Sequence, residues 1–219
     1  MQDAVLWKGR NSTPFEFYFV ILYVTVLNPA FYGKRMTNSV PREVIIRAID
    51  GSPEETGELY DRYQQSIFRY LYYRIGDPHI AEDLTADVFL RMVQALPSYR
   101  VGAVPFQAWL FQVARNVAID HFRRTNAHPV VAMTENLLIE GQPLESVVDF
   151  RIASADLAAA LARLDELQRD VLLLRFIEGL PIAETALILH KTEDSIKALQ
   201  RRALLALRGM FTLEEKENE

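Results

Sequence analysis

The chain has 219 residues, half of them hydrophobic, which is enough for one medium domain or two small ones with packed cores. It contains no cysteine, which excludes a disulfide scaffold and thiolate metal sites and suits a reducing cytoplasm, the location we predict. The net charge of −5 excludes a uniformly basic protein, but nucleic-acid binding needs only a local basic face.

Residues 1–40 form an N-terminal extension with an apolar run, FEFYFVILYVTVL, at 15–27. This run is too short to span a bilayer, which needs about 20 residues. It could be a β-prone segment that packs on the body, or a membrane-surface or signal-like anchor after Lys8 and Arg10. We favour a third reading, a start-site artefact, because a polar leader begins at Met36.

Residues 41–124 carry helical periodicity nearly throughout. A short helix closes at Gly51, and the next has Ser52 as a candidate N-cap and Pro53 at its first position. Gly76-Asp77-Pro78 ends that helix, and Pro97 stops the one after it. The apolar stripes of these two long helices are Leu59, Tyr63, Ile67, Tyr70 and Leu71, then Ile80, Leu84, Val88, Phe89 and Met92.

Acids Glu82, Asp83 and Asp87 lie on the polar side of the second of these helices. They form either an ordinary solvated surface or a docking face for a protein partner. The following helix, PFQAWLFQVARNVAIDHFRR, mixes aromatics with cations and amides, which suits unstacked single-stranded bases. Its Trp109 can equally belong to a core with Phe106, Leu110, Val113, Val117 and Ile119.

Apolar residues show no sustained helical or strand periodicity over residues 125–152, which predicts a linker there. Helical periodicity resumes over 153–211, where the first helical stretch is broken near Asp165 and ends at Gly179. We predict an exposed tail over 212–219. The predicted fold class is all-α, two small helical domains joined by a linker.

The second domain contains a helix-turn-helix pattern from residue 180 to 208. Pro181 suits the first helix, HKT forms the turn, and Thr192 is a candidate N-cap with Glu193 and Asp194 behind it. The stripes expected to face inward are Ile182, Ala186 and Leu189, then Ile196, Leu199, Ala203 and Leu207.

The second helix of this pattern carries a cationic face. At about 100° per residue, Lys197, Arg201 and Arg208 fall within about 40° of one another, with Arg202 and Ser195 on the other flank. Cations and small polar groups opposite an anchored stripe suit a helix in the DNA major groove. The alternative is a solvated helix face.

Three stretches, AEDLTADVFLRMVQAL, PFQAWLFQVARNVAIDHFRR and LDELQRDVLLLRFIEGLPIAETALILHKTEDSIKALQRRALLALR, resemble in this order the extracytoplasmic-function (ECF) sigma factors of bacterial RNA polymerase, in the sigma-70 superfamily. The resemblance covers about residues 41–124 and 153–210. It implies a region 2-like domain and a region 4-like domain in a non-enzymatic subunit that carries core polymerase to promoters. The implied partners are core polymerase, duplex and single-stranded promoter DNA and an anti-sigma factor, with no small-molecule substrate.

The resemblance also implies roles for individual residues. Binding to the clamp helices of core polymerase would involve Asp83, Leu84, Asp87, Phe89 and Leu90. Opening and reading the minus-ten element would involve Trp109, Arg115, Asn116, Asp120, Arg123 and Arg124. The minus-thirty-five candidates are Ser195, Lys197, Arg201 and Arg202, with Thr192 and Ala198 beside them and Arg208 added by the helical wheel.

The chain departs from the family pattern at several points. His190 stands where glycine is common, Thr185 replaces a usual aliphatic residue, and Leu187 a usual acid; Leu199 and Gln200 also differ. The alternative to a sigma factor is a free-standing helix-turn-helix regulator, and a third reading is a partner-binding helical protein. We expect no enzyme, metal or cofactor, because the sequence shows no nucleophile–base pair, phosphate loop or metal cluster, and its four histidines lack ligand spacing.

Overall fold

The computed structural model of the chain describes residues 40–125 and 158–217. The predictions for the apolar segment 15–27 and for the linker after residue 125 lie outside the described residues. Within these two described ranges no helix is long and apolar enough to cross a membrane.

The described residues form helices and short turns, which confirms the all-α prediction. The first module contains α1 Arg42–Ile49, α2 Pro53–Ile75, α3 Pro78–Ala95, a 3-10 turn Leu96–Ser98 and α4 Phe106–Thr125. The second contains a helical stretch at 158–162, α5 Glu166–Leu172 with a π-helical turn Leu173–Ile177, α6 Ile182–Leu189 and α7 Glu193–Glu217. Across these ranges, extended pairing is limited to one isolated bridge between Val101 and Val104.

The turn between α2 and α3 forms as predicted. Gly76 is left-handed, with φ 87°, and its N–H donates to the carbonyl of Tyr72 at 2.8 Å. Asp77 then caps α3 by accepting from the N–H of Ile80 at 3.0 Å, and Pro78 takes the first helical position. The glycine and the cap together reverse the chain within a few residues, so that α3 packs back on α2.

The first module buries the stripe predicted for α2, and all five of its residues lie in the core. In α3, Ile80 is only half-buried, whereas Leu84, Val88, Phe89 and Met92 are buried. In α4, Val113 and Ile119 are half-buried. The core of the first module therefore lies where α2, α3 and α4 meet, and α4 also packs against α6 of the second module.

A buried arginine organises the start of the second module. Arg169 on α5 donates to the carbonyls of Leu161 and Ala162, each at 2.8 Å, and of Leu164 at 3.2 Å. Burial lowers the pKa of Arg169 to about 10. Its guanidinium satisfies the carbonyls that the chain exposes at the predicted break before Asp165, and so fixes α5 on the preceding turn.

The helix-turn-helix is confirmed in α6 and α7. His190 adopts the left-handed conformation with φ 51°, the conformation in which glycine is favoured. Thr192 caps α7 by accepting from the N–H of Ser195 at 3.2 Å. Pro181 occupies the N-cap position just before α6.

Two departures from the expected pattern have local explanations. Thr185 is fully buried, and its hydroxyl donates to the carbonyl of Pro181 at 3.0 Å, so the polar group is satisfied within the helix. Leu187 is exposed, as expected at a position where the family usually has an acid.

The predicted tail differs from the structure. Helix α7 continues to Glu217, so the backbone is helical over most of 212–219.

The left-handed turn residue gives the first testable prediction. We expect His190→Gly to raise the free energy of unfolding by about 0.5–1 kcal/mol, because relief of the strained φ exceeds the added chain entropy. Lys191→Gly, next to it at ordinary φ, should instead lower it by about 0.5–1 kcal/mol. Thermal denaturation followed by circular dichroism measures both; a less stable H190G would show that His190 bears no strain.

Candidate nucleic-acid interface

The exposed face of α7 is cationic, as predicted. Lys197, Arg201, Arg202 and Arg208 are all exposed. The opposite side is anchored by the buried side chains of Ile196, Ala203 and Leu207, with Leu199 half-buried. Lys197 Nζ lies 3.0 Å from Asp194 Oδ1, and this hydrogen bond raises the lysine pKa. Because the pair is exposed, a DNA phosphate can replace the carboxylate at little cost.

Small side chains lie beside the cations of α7. Ala198 is exposed, and at about 100° per residue it falls between Arg201 and Arg202. The Thr192 hydroxyl donates to Ser195 Oγ at 2.9 Å, which holds both hydroxyls at the start of α7. The face therefore offers a methyl group between its cations and hydroxyls on the flank beyond Arg202, groups that suit direct readout in a major groove.

The minus-ten candidates on α4 differ in how far their side chains are exposed. Asn116, Arg123 and Arg124 are exposed. Trp109 is half-buried, its ring centroid 5.0 Å from that of Tyr99 and 5.4 Å from that of Phe106. The tryptophan thus belongs to an aromatic cluster that still has an open side.

Asp120 is tied to α3 through one arginine. Arg91 Nη1 lies 2.9 Å from Asp120 Oδ2, and its Nη2 lies 3.1 Å from Asp87 Oδ2. The hydrogen bond with Asp120 is the main reason that the arginine pKa is raised. Arg91, which the sequence did not single out, therefore joins a candidate for DNA contact to a candidate for polymerase contact.

The polymerase-binding candidates divide between surface and core. Asp83 and Leu90 are exposed and Asp87 is half-buried, whereas Leu84 and Phe89 face the core. Phe89 packs edge-on against Tyr60, with ring centroids 4.7 Å apart. One turn along from Leu90, Val93 is also exposed, so α3 presents acids beside two apolar groups.

Arg115 is a minus-ten candidate whose side chain packs against the second module. Only 16% of its side chain is exposed, and its Nε donates to Asp170 Oδ2 at 2.9 Å. Asp170 on α5 is fully buried and also accepts from the Tyr70 hydroxyl at 3.0 Å and from Arg74. Arg74 Nη2 in turn lies 2.5 Å from Glu166 Oε1. The second module therefore supplies the counter-charges for three buried polar groups of the first.

A second ion pair joins the same two modules. Arg69 donates from Nε to Glu178 Oε1 at 2.8 Å and from Nη2 to Oε2 at 2.7 Å, a bidentate pair. Nearby, the Gln112 side chain donates to the carbonyl of Leu187 on α6 at 2.9 Å. We call this surface the inter-module contact, and its charged members are Arg69, Arg74, Arg115, Glu166, Asp170 and Glu178.

Sequence reasoning missed the inter-module contact. The available signal was charge inside apolar runs, Arg74 within YLYYRI and Asp170 within RDVLLLRF. Charged residues at such positions are rarely buried unless they are paired. Which acid pairs with which base depends on how the modules pack, and periodicity holds no information on that.

Glu184 on α6 is half-buried, and among the described residues its buried Oε2 has no hydrogen-bond partner. Burial raises the pKa of this carboxyl above its ordinary value of 4.5. Burial also raises the pKa of Tyr63 to about 12, and the charge of Glu184 contributes to that shift. The carboxylate thus faces the first module in an environment that disfavours its charge.

Two family models match the chain: "Sigma-70 region 2" over residues 59–128 and "Sigma-70, region 4" over residues 160–209. The first match covers the helices that carry the minus-ten and polymerase candidates. The second covers the helix-turn-helix and the acids of the inter-module contact.

Curated relatives are similar over both modules. The ECF RNA polymerase sigma factor BldN of Streptomyces coelicolor is 38% identical over 75% of this chain and 63% of its own length. The ECF RNA polymerase sigma factor SigX of Bacillus subtilis is 32% identical over 75% of this chain and 88% of its own length. A solved structure of the sigma factor RpoE with the anti-sigma factor NepR from Bartonella quintana shares the fold, with a TM-score of 0.57, 19% identity and coverage of 71% of this chain and 96% of that one.

The burial of Glu184 generates a prediction about pH. Because its folded pKa is raised, the folded chain binds more protons than the unfolded chain, and this carboxyl destabilises the fold increasingly as pH rises above 4.5. We expect Glu184→Gln to raise the melting temperature at neutral pH and to lose that advantage near about pH 4. Exposed Glu82→Gln is the control and should show no such trend. A variant equal to the parent at every pH would contradict the assignment.

Proposed function

The chain belongs to the extracytoplasmic-function sigma factors of RNA polymerase, and we propose that it carries core polymerase to promoters and helps to open the minus-ten element. The observation that carries this proposal is the exposed face of α7, where two arginines and a lysine lie opposite a buried anchoring stripe. We propose that the chain acts through binding alone and leaves the chemistry of transcription to the polymerase.

We propose that α7 enters the major groove of the duplex minus-thirty-five element. Arg201 and Arg202 can each donate two hydrogen bonds to a guanine edge, while Lys197 and Arg208 suit phosphates. The methyl group of Ala198 can meet a thymine methyl between them. The chain is acidic overall, with a net charge of −5, so nonspecific attraction to DNA is weak and specificity rests on this face.

We propose that the exposed side of α4 captures unstacked bases of the minus-ten element. Asn116 offers donors and acceptors for base edges, and Arg123 and Arg124 supply positive charge at the end of the helix. The open side of the Trp109 cluster can support a stacked base.

We propose that the exposed side of α3 docks on the clamp helices of core polymerase. Leu90 and Val93 provide an apolar centre, and Asp83 and Asp87 provide flanking charge, the arrangement expected of an interface core with a polar rim. Leu84 and Phe89 support this surface from within the module. We further propose an anti-sigma factor as a partner, since the solved relative was captured with one.

A free-standing helix-turn-helix regulator remains the alternative function. It would bind its operator without polymerase and would need no docking surface on α3. The two functions therefore differ in whether purified core polymerase is required for specific DNA binding.

The DNA-reading surface gives a direct test. We expect Arg201→Ala with Arg202→Ala to lower promoter-dependent initiation at least about tenfold, because each arginine–guanine contact contributes about 1–3 kcal/mol of discrimination. Binding to core polymerase should be unchanged, since α7 takes no part in it. In vitro transcription with purified core polymerase measures the first quantity and co-elution the second.

The matched control is Arg42→Ala with Arg100→Ala, which removes two exposed arginines from the first module. It should transcribe like the parent chain. Equal losses in both double variants would attribute the effect to net charge and contradict a reading role for α7. Specific promoter binding by the parent chain without polymerase would favour the alternative function.

The docking surface on α3 gives a separate prediction. We expect Leu90→Glu to weaken binding to core polymerase about tenfold or more, because it puts a charge in the apolar centre of the interface. The control Gln65→Glu adds the same charge at an exposed position on α2. Fluorescence anisotropy of the labelled chain measures both affinities. If L90E binds as well as Q65E, the clamp contact lies elsewhere.

A further inference from the structure

We propose that Arg91 is a positioning residue for the minus-ten surface: its guanidinium, which comes from α3, neutralises and holds Asp120 so that α4 can receive the phosphates of a single DNA strand. This inference rests on the proposed minus-ten role of α4. It adds to that role a residue that lies outside α4 and acts on the strand through Asp120.

Asp120 is the only acid of α4, and it lies on the side proposed to bind the strand. At about 100° per residue it falls about 40° from Asn116 and about 60° from Arg123. Its side chain is 42% exposed, so the carboxylate would meet the same phosphates as these neighbours. Because like charges repel, an uncompensated Asp120 would oppose the attraction that Arg123 and Arg124 provide.

Arg91 supplies the compensating charge from the neighbouring helix. Helix α3 packs against α4, and Arg91 Nη1 lies 2.9 Å from Asp120 Oδ2. Its Nη2 lies 3.1 Å from Oδ2 of Asp87, which precedes it by one turn of α3. The two carboxylates hold the planar guanidinium in one orientation, with one nitrogen directed at each acid.

Arg124 makes a second contact at the same place. Its Nε donates to the backbone carbonyl of Asp120 at 3.3 Å, which draws the side chain back along the helix. Arg91 and Arg124 therefore meet Asp120 at its carboxylate and at its carbonyl. The end of α4 presents positive charge to a strand as long as Arg91 compensates the carboxylate.

The ion pairs of Arg91 are partly exposed and contribute little to the stability of the module. The Arg91 side chain is 35% exposed and that of Asp87 is 33% exposed. Water and salt screen such pairs, and both side chains lose conformational freedom when they form. The packing of α3 on α4 rests instead on buried apolar residues such as Val88, Met92 and Val117. Removing the charge of Arg91 should therefore leave the module folded and change the electrostatics of its surface.

The test uses the holoenzyme assembled from the chain and purified core polymerase, with core polymerase alone as the background. Fluorescence anisotropy measures binding of a labelled, mixed-sequence single-stranded DNA over a range of salt concentrations. We expect Arg91→Gln to weaken binding about fivefold at about 0.1 M salt, the effect of one phosphate left without a counter-charge. The plot of log affinity against log salt should become shallower by about 0.7.

The rescue variant combines Arg91→Gln with Asp120→Asn. It has the parent's net charge at this place, so it should regain the parent's affinity and salt dependence. A purely structural role of Arg91, or direct contact of its guanidinium with DNA, would leave the double variant as weak as R91Q. Asp120→Asn alone should bind more tightly than the parent, by a similar factor, and it decides the outcome if R91Q does not fold.

The matched control is Arg62→Gln on α2. Arg62 pairs with Glu58 at 2.9 Å, at the same four-residue spacing as Arg91 with Asp87. R62Q removes the same charge from another helix and should bind the oligonucleotide within about twofold of the parent.

Three results would overturn the role of Arg91. They are an R91Q that binds the oligonucleotide like R62Q, a double variant that stays weak, and a D120N that binds no more tightly than the parent. An R91Q that loses affinity only for core polymerase would also overturn it, because Arg91 would then serve Asp87 and the docking surface. A parent holoenzyme that binds the oligonucleotide no better than core polymerase alone would contradict the proposed minus-ten function itself, so the two failures are distinguishable.

Discussion

The arrangement of the two modules depends on the buried carboxylate of Asp170. It accepts hydrogen bonds from Tyr70, Arg74 and Arg115, all of which belong to the other module. Removing one partner of such a cluster leaves an uncompensated charge in the interior, at a cost of about 3–5 kcal/mol. The contact is therefore specific in its geometry, because one carboxylate has to meet three donors at once.

Ion pairs of two arginines connect the three proposed binding surfaces. The α7 face that suits duplex DNA lies on the module that carries Asp170, whereas α3 and α4 carry the proposed polymerase and single-strand surfaces. Arg91 links α3 to α4 through Asp87 and Asp120. Arg115 links α4 to the second module.

Helical periodicity predicted the elements and most of the core, because side-chain burial in a helix follows its 3.6-residue repeat. It also placed Arg201 and Arg202 on the exposed face of α7, since that face depends only on angles within one helix. Periodicity placed Leu84 and Phe89 in the buried stripe, where the structure has them, and the binding role came from the family resemblance alone. It could not foresee the surroundings of Arg115, because those depend on contacts between residues far apart in the chain.

The most direct test of the account is the distance between spin labels on the two modules of the isolated chain, measured in the parent and in Asp170→Asn. We expect one narrow distance distribution for the parent and a broader, longer one for D170N, because the donors around Asp170 then lose the charge that holds them. A folded D170N that keeps the parent's narrow distance would contradict the dependence of the module arrangement on Asp170.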